Sequence, residues 1–189
     1  MAITPLDQKA ALVIIDLQKG IVSAPTAHSI DDVVKHASEL AAAFRRHDLP
    51  VVLVNVAGGA PGRTEQSNIA GQRPADWVEL VPELNRHSND HLVTKKTWGA
   101  FTNTNLYAHL KGLGVTQIVL AGVATSIGVE STARQAHELG FHVALAVDAM
   151  TDRNLDAHNH SVTRIFPRLG ENGTTHEILD LLKKRFESR

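Results

Sequence analysis

Five short apolar runs recur along the chain, and each gives way to a polar or glycine residue before a stretch whose apolar positions lie three to four apart. Ala11-Leu12-Val13-Ile14-Ile15 ends at Asp16, Val51-Val52-Leu53-Val54 leads to Asn55, and His91-Leu92-Val93-Thr94 leads to Lys95. Gln117-Ile118-Val119-Leu120-Ala121 precedes Gly122, and His142-Val143-Ala144-Leu145-Ala146-Val147 precedes Asp148. The runs are β-branched and nearly continuous, as strands covered on both faces are. Their alternation with amphipathic stretches predicts repeated βα units around a parallel sheet.

Helix starts and stops fit that plan. Ser29, with Asp32 three residues on, opens a helix expected to run to about Arg46. Asn103 or Thr104 is placed to cap a helix ending at Gly112, and another is expected from near Ser126 to Gly140. A helix from about Asp156 to Phe166 should halt at Pro167. The last has Thr174 as cap and Glu177 at its third position, with Ile178, Leu181 and Leu182 on one face. Residues 57–90, dotted with glycine and proline, read as a functional or interface loop, or as an ordered crossover with a short helix over Ala75 to Leu80. The expected fold is one doubly wound α/β domain over residues 1–189, a parallel sheet of about six strands with helices on both faces.

Composition narrows the functions. A chain of 189 residues suits one domain with a core of its own. No apolar run approaches the ~18 residues of a membrane span, and the first residues lack the basic flank and apolar core of a secretory signal, so a cytoplasmic protein is expected. A net charge of −1 with both signs interspersed offers no field for nucleic acid or for a membrane surface. Cysteine is absent, which removes disulfides, thiolate metal sites and thiol nucleophiles together. The nearest metal-like cluster is Asp156, His158 and His160, whose spacing of two shares a face only on a strand, whereas a helix is expected there. No metal and no cofactor are expected.

Ligands of open parallel sheets bind beyond the carboxyl ends of strands, near the switch in strand order. Three features lie at such ends: Asp16, Lys95, and the segment Gly122-Val123-Ala124-Thr125-Ser126-Ile127-Gly128. The last joins a strand to a helix start, where backbone amides can hold an anion or an oxyanion. Singly, an Asp there often caps a turn and a Lys is often solvated. Brought to one crevice they form a general acid–base site with an anion hole. Trp98 and Phe101, close behind Lys95, either line that pocket and stack on a planar substrate or pack the domain or an oligomer interface.

Three segments carry a family resemblance. AALVIIDLQKG (residues 10–20), TKKTWGAFTNT (94–104) and GVATSIGVESTAR (122–134) resemble the motifs of the isochorismatase-like hydrolases of the cysteine hydrolase superfamily. The resemblance implies a small-molecule hydrolase with Asp16 and Lys95 as the catalytic aspartate and lysine, Gly99 at a serine position, and Gly128 where most relatives carry the nucleophilic cysteine. It implies a cis peptide at Val123–Ala124. A substrate and oxyanion pocket is expected at Gln18, Val123, Ala124, Ile127 and Gly128, with Trp98 and Phe101 the candidates beside it. Metal-binding amidases of the family have an Asp-x-His pair where this chain reads Asn55-Val56-Ala57, so the implied enzyme is metal-independent. Homodimers or homotetramers are the implied assembly.

A glycine at position 128 removes the covalent route. Thr125, Ser126 and Ser131 are nearby hydroxyls, but Thr125 and Ser126 read better as helix caps, and Arg134 as half of an ion pair. Isochorismatases of this family also carry glycine there and cleave a vinyl ether: the aspartate protonates the enol carbon, water adds, and the hemiketal collapses to release pyruvate. By that resemblance Asp16 is the acid, and Lys95 orients the substrate carboxylate or water. The alternatives are a family member that kept its pocket and lost catalysis, and a cysteine amidase whose nucleophile has been replaced.

Overall fold

In the computed structural model, which describes residues 3–65 and 73–187, six strands make one all-parallel sheet. They are β1 (Ala10–Ile15), β2 (Val51–Val56), β3 (His91–Lys95), β4 (Gln117–Val123), β5 (His142–Thr151) and β6 (Glu171–Gly173). Their order is β3-β2-β1-β4-β5-β6, so the order reverses between β1 and β4. The helices are α1 (Lys19–Val22), α2 (Ile30–Arg46), α3 (Leu106–Gly112), α4 (Glu130–Glu138), α5 (Leu155–His160) and α6 (Thr175–Glu187).

The period of two along a strand sorts its side chains onto two cores. Ala10, Leu12 and Ile14 of β1 pack with α2 and α6 through Leu40, Phe44, Ile178 and Leu182. Ala11, Val13 and Ile15 pack on the other face with Leu106 and Leu110 of α3 and Ala133 and Ala136 of α4. Both faces are therefore apolar, which is why the runs are continuous. The sixth strand has no apolar run; it is held by pairing Ala144 with Glu171 and Ala146 with Gly173.

Several helix boundaries follow the sequence and others do not. Ser29 Oγ accepts the Asp32 amide at 3.3 Å and starts α2. Thr174 and Glu177 form a reciprocal cap, with Glu177 N donating to Thr174 Oγ1 at 3.2 Å and Thr174 N to Glu177 Oε2 at 2.7 Å. Helix α3 starts after Asn105; Thr104, one of the two expected caps, accepts the Leu106 amide at 3.3 Å on its hydroxyl, which also donates to Ala100 O at 2.6 Å, while Asn103 turns left-handed at φ 54°. The segment expected to be one helix up to Pro167 is α5 followed by a wider turn over Ser161–Ile165 and a 3-10 turn over Phe166–Arg168. The helix proposed over Ala75 to Leu80 is absent, since its carbonyls bond outward. Trp77 O accepts Gly20 N, Val78 O accepts Asn55 Nδ2, and Glu79 O accepts Lys19 N. Leu80 instead forms an antiparallel bridge with Gln18.

Gly122 pairs with Ile15 at the reversal between β1 and β4 and has φ 112°. A Cβ there would run into the Ile15 backbone carbonyl. Gly122→Ala combines a forbidden dihedral with a backbone clash and should lower unfolding free energy by about 3 kcal/mol or more. Urea denaturation measures this, and a loss below about 1 kcal/mol would show that the strand ends can separate to admit the methyl group.

Candidate active site

The strand order sets Asp16, at the end of β1, beside the turn that follows β4, with Lys95 two strands away at the end of β3. Asp16 takes a left-handed backbone, φ 52°, which swings its carboxylate off the strand direction. Lys95 reaches back past β2 and donates from Nζ to Asp16 Oδ2 at 2.7 Å and to Thr97 O at 3.1 Å. Both residues are buried, Asp16 at 6% and Lys95 at 2% exposure. Asp16 Oδ1 is buried with no hydrogen-bond partner.

The β4 turn closes the third side. The Val123–Ala124 peptide is cis, and Thr125–Val129 forms a wide π-type turn before α4. Gly128 faces the carboxylate: a Cβ there would lie 3.2 Å from Asp16 Oδ2, 3.0 Å from Ile15 Cγ2 and 3.3 Å from Val123 O. The expected bank of open amides is partly used up. Ser126 N donates to Asp152 Oδ2 at 2.8 Å, and the Ile127 and Val129 amides both donate to Ala124 O at 3.1 Å. Neither Thr125 nor Ser126 caps the helix as expected. Thr125 Oγ1 lies 2.8 Å from His158 Nδ1, and Ser126 Oγ donates to Asp152 Oδ2 at 2.7 Å.

Two fully or nearly fully buried residues outside the expected set hold this arrangement. Thr132 donates to Gly128 O at 2.7 Å and accepts the Ala100 amide at 3.1 Å, so one hydroxyl joins the β4 turn to the loop after Lys95. Its position four residues after Gly128 on the helix was a readable signal. Asp152 carried none, because the apolar run of β5 breaks at Asp148 and the strand continues to Thr151.

The other expected pocket residues divide. Val123 is buried, Ala124 is half-buried, and Ile127 and Trp98 are exposed in the two segments that carry Gly128 and Lys95. Gln18 does not offer its side chain to a ligand: Oε1 accepts Val56 N at 2.7 Å, while Nε2 donates to Val56 O at 3.1 Å and Trp77 O at 2.9 Å. Phe101 stacks on Phe141 at 5.9 Å and belongs to the domain packing. Gly99 leaves room for the Gln135 carboxamide, which accepts the Phe101 amide. Arg134 pairs with Glu130 one turn earlier at 2.9 Å. His158 turns toward Thr125, while Asp156 and His160 are exposed elsewhere on α5.

This geometry coincides with a family match: the model of the isochorismatase domain covers residues 10–177. The chain belongs to the isochorismatase family. Within the family it is 45% identical over 183 residues to the uncharacterized isochorismatase family protein YwoC of Bacillus subtilis, covering 93% of this chain and 95% of that one. It is 33% identical over 151 residues to a streptothricin hydrolase of Streptomyces noursei, covering 78% of this chain and 51% of the other. The structure of an isochorismatase family protein from Burkholderia thailandensis superposes with a TM-score of 0.92 at 40% identity, over 96% of this chain and 100% of that one.

In this isochorismatase-family chain the Asp16 carboxyl is under two opposed influences. Burial pushes the Asp16 carboxyl up from 3.8 to about 6, against the charge and hydrogen bond of Lys95, which pull it down. Lys95→Met removes both lowering influences, so the Asp16 midpoint should rise above about 6. The folded carboxyl then holds its proton more tightly than the unfolded one. That stabilisation is complete below 3.8 and is lost as pH rises through the folded midpoint. Carbon NMR titration of the Asp16 carboxyl, with urea denaturation at acid and alkaline pH, checks both. A midpoint at or below that of the wild type would contradict the assignment of Lys95 as the local cation.

Proposed function

We propose that the protein is a hydrolase of small carboxylated enol ethers that works without a thiol, with Asp16 as general acid and Lys95 as its charged partner. The observation that carries this reading is the Asp16 carboxyl, pushed up to about 6 and lying against a residue with no side chain. Most family relatives carry a cysteine at the Gly128 position by the motif resemblance, and glycine leaves proton transfer as the chemistry on hand.

The steps balance as an isochorismatase-type reaction. Asp16 donates its proton to the terminal carbon of the enol ether, forming a C–H bond and an oxocarbenium ion. Water adds to that cation and gives its proton back to the carboxylate. The resulting hemiketal breaks its C–O bond, releasing an alcohol and a 2-keto acid, pyruvate when the substrate is isochorismate. Lys95, held on Oδ2 and Thr97 O, fixes the carboxyl orientation and attracts the substrate carboxylate. Trp98, 61% exposed, and Ile127 offer apolar faces for a ring. The reaction invokes no cofactor and no metal. Residues 1–189 act as one catalytic domain, and no helix among the described residues is long and apolar enough to cross a membrane.

A cysteine amidase with a replaced nucleophile is the second reading, favoured by one detail. Contacts of 3.0–3.3 Å around a Cβ at position 128 are tight but involve an Ile methyl, a carboxylate and a carbonyl, which a small shift accommodates.

Pyruvate release from isochorismate, run beside an amide panel with wild type, Asp16→Asn and Gly128→Cys, separates the readings. Because the acid must be protonated, kcat/KM should be level below about pH 6 and fall about tenfold per unit above it. Asp16→Asn should lower the rate by roughly a hundredfold or more. Pyruvate release unchanged in Asp16→Asn would sink the proposal. Amide hydrolysis appearing only in Gly128→Cys supports the second reading, and saturable binding without turnover in any variant indicates a pocket that has lost catalysis.

A further inference from the structure

Asp152 lies just beyond β5, 4% exposed, where three loops converge on its oxygens. Its Oδ2 accepts both the amide of Ser126, at 2.8 Å, and its hydroxyl, at 2.7 Å. Oδ1 accepts the Asn154 amide at 3.2 Å, and the backbone carbonyl accepts the Ala27 amide at 2.7 Å. Buried bonds to a carboxylate are among the strongest a chain makes. Two of these act on one residue of the Thr125–Val129 turn, two positions before Gly128. The turn opens α4 without a cap of its own, so a distant residue does the capping.

The turn has a wall-like role. Gly128 closes one side of Asp16 Oδ2, the oxygen that Lys95 also holds. Thr132 holds Gly128 from the helix side through its carbonyl, and Ser126 is the residue of the turn that Asp152 holds. Thr125 adds a lighter anchor through His158, whose ring meets His28 edge-on at 4.5 Å.

We propose that Asp152 is a positioning residue for the chemistry at Asp16: it holds Ser126 so that Gly128 stays against the Asp16 carboxylate and keeps water from it. The inference rests on reading Asp16 as the acid. Its hydrogen bonds go to loops and not to the reacting carboxyl, so it acts through the turn.

The test compares wild type with Asp152→Ala, Asp152→Asn and Ser126→Ala, reading kcat and KM for pyruvate release from isochorismate and the Asp16 midpoint by carbon NMR. Asp152→Ala should lower kcat by roughly thirtyfold, with KM within about threefold, because the reacting groups are misplaced and not the substrate contacts. Its Asp16 midpoint should move down from about 6 toward the ordinary carboxylate value as water enters. Asp152→Asn keeps an oxygen for both Ser126 donors and should stay within about threefold of wild type. Ser126→Ala loses the hydroxyl bond alone and should fall between. A folded Asp152→Ala protein with wild-type kcat and Asp16 midpoint overturns the proposal, as does a rise in KM with kcat unchanged. If Asp152→Ala does not fold, Ser126→Ala carries the test, and an unmoved Asp16 midpoint in it is the overturning result. Absence of pyruvate release from the wild type counts against the enol-ether reading alone, and the Asp16 midpoints then judge Asp152 by themselves.

Discussion

An ammonium and a carboxylate can be buried together at the carboxyl ends of a sheet's strands only when each satisfies the other, because either alone would face a desolvation cost of several kcal/mol. Lys95 and Asp16 do so at 2.7 Å, although their strands are not neighbours. The gap from β3 to β1 is two strand spacings, roughly 10 Å, and the long lysine stem bridges it where a shorter side chain would stop at β2. That reach needs the parallel order with β2 in between, a left-handed Asp16 and a loop after β3 that supplies Thr97 O as the second acceptor. The pair therefore fixes the relation of three strands at once. It still leaves Asp16 Oδ1 unpartnered, and this incomplete satisfaction accompanies the raised affinity of the carboxyl for its proton.

Much of the scaffold was legible because one physical rule governs it. Strands buried on both faces must be continuously apolar, and β1, β2, β4 and β5 announce themselves that way, while β3, at the edge of the sheet, buries only Val93 and Lys95. Asp16, Lys95 and the turn up to Gly128 were legible for a related reason: each stands directly after such a run, where a parallel sheet opens onto its crevice. β6 was not individually visible, since Glu171-Asn172-Gly173 is a strand only by virtue of the edge it pairs with. The Ala75 to Leu80 segment is not a helix because its carbonyls are claimed by residues 23 to 60 positions earlier, Asn55, Gly20 and Lys19, a tertiary demand that local periodicity does not encode. Gln18 and Phe101 illustrate the same limit in the site. Residue type and nearness to a motif cannot tell a side chain that faces a ligand from one that faces its own fold.

The two sides of the Asp16 carboxylate are held by unlike means. On the lysine side the groups are charged and reach inward from a strand end. On the glycine side the wall is backbone, and its shape is set by hydroxyls and by a carboxylate behind it: Thr132 on Gly128 O, and Asp152 on Ser126. Ala100 N on Thr132 ties the two walls together. A backbone wall brings little side-chain entropy to the site, so its position depends on the polar groups that support it.

The Gln18 carboxamide imitates a peptide unit, exchanging hydrogen bonds with both backbone groups of Val56 and taking in Trp77 O as well. The chain that leaves β2 at Val56 and returns at Trp77 is thereby pinned at both ends to the same side chain. A stretch closed in this way is a ring in the entropic sense: doubling its length adds only about 0.6 kcal/mol of closure entropy. Added residues near the exposed Gly59 and Gly62 would consequently leave the strand ends, pinned by Gln18, in register.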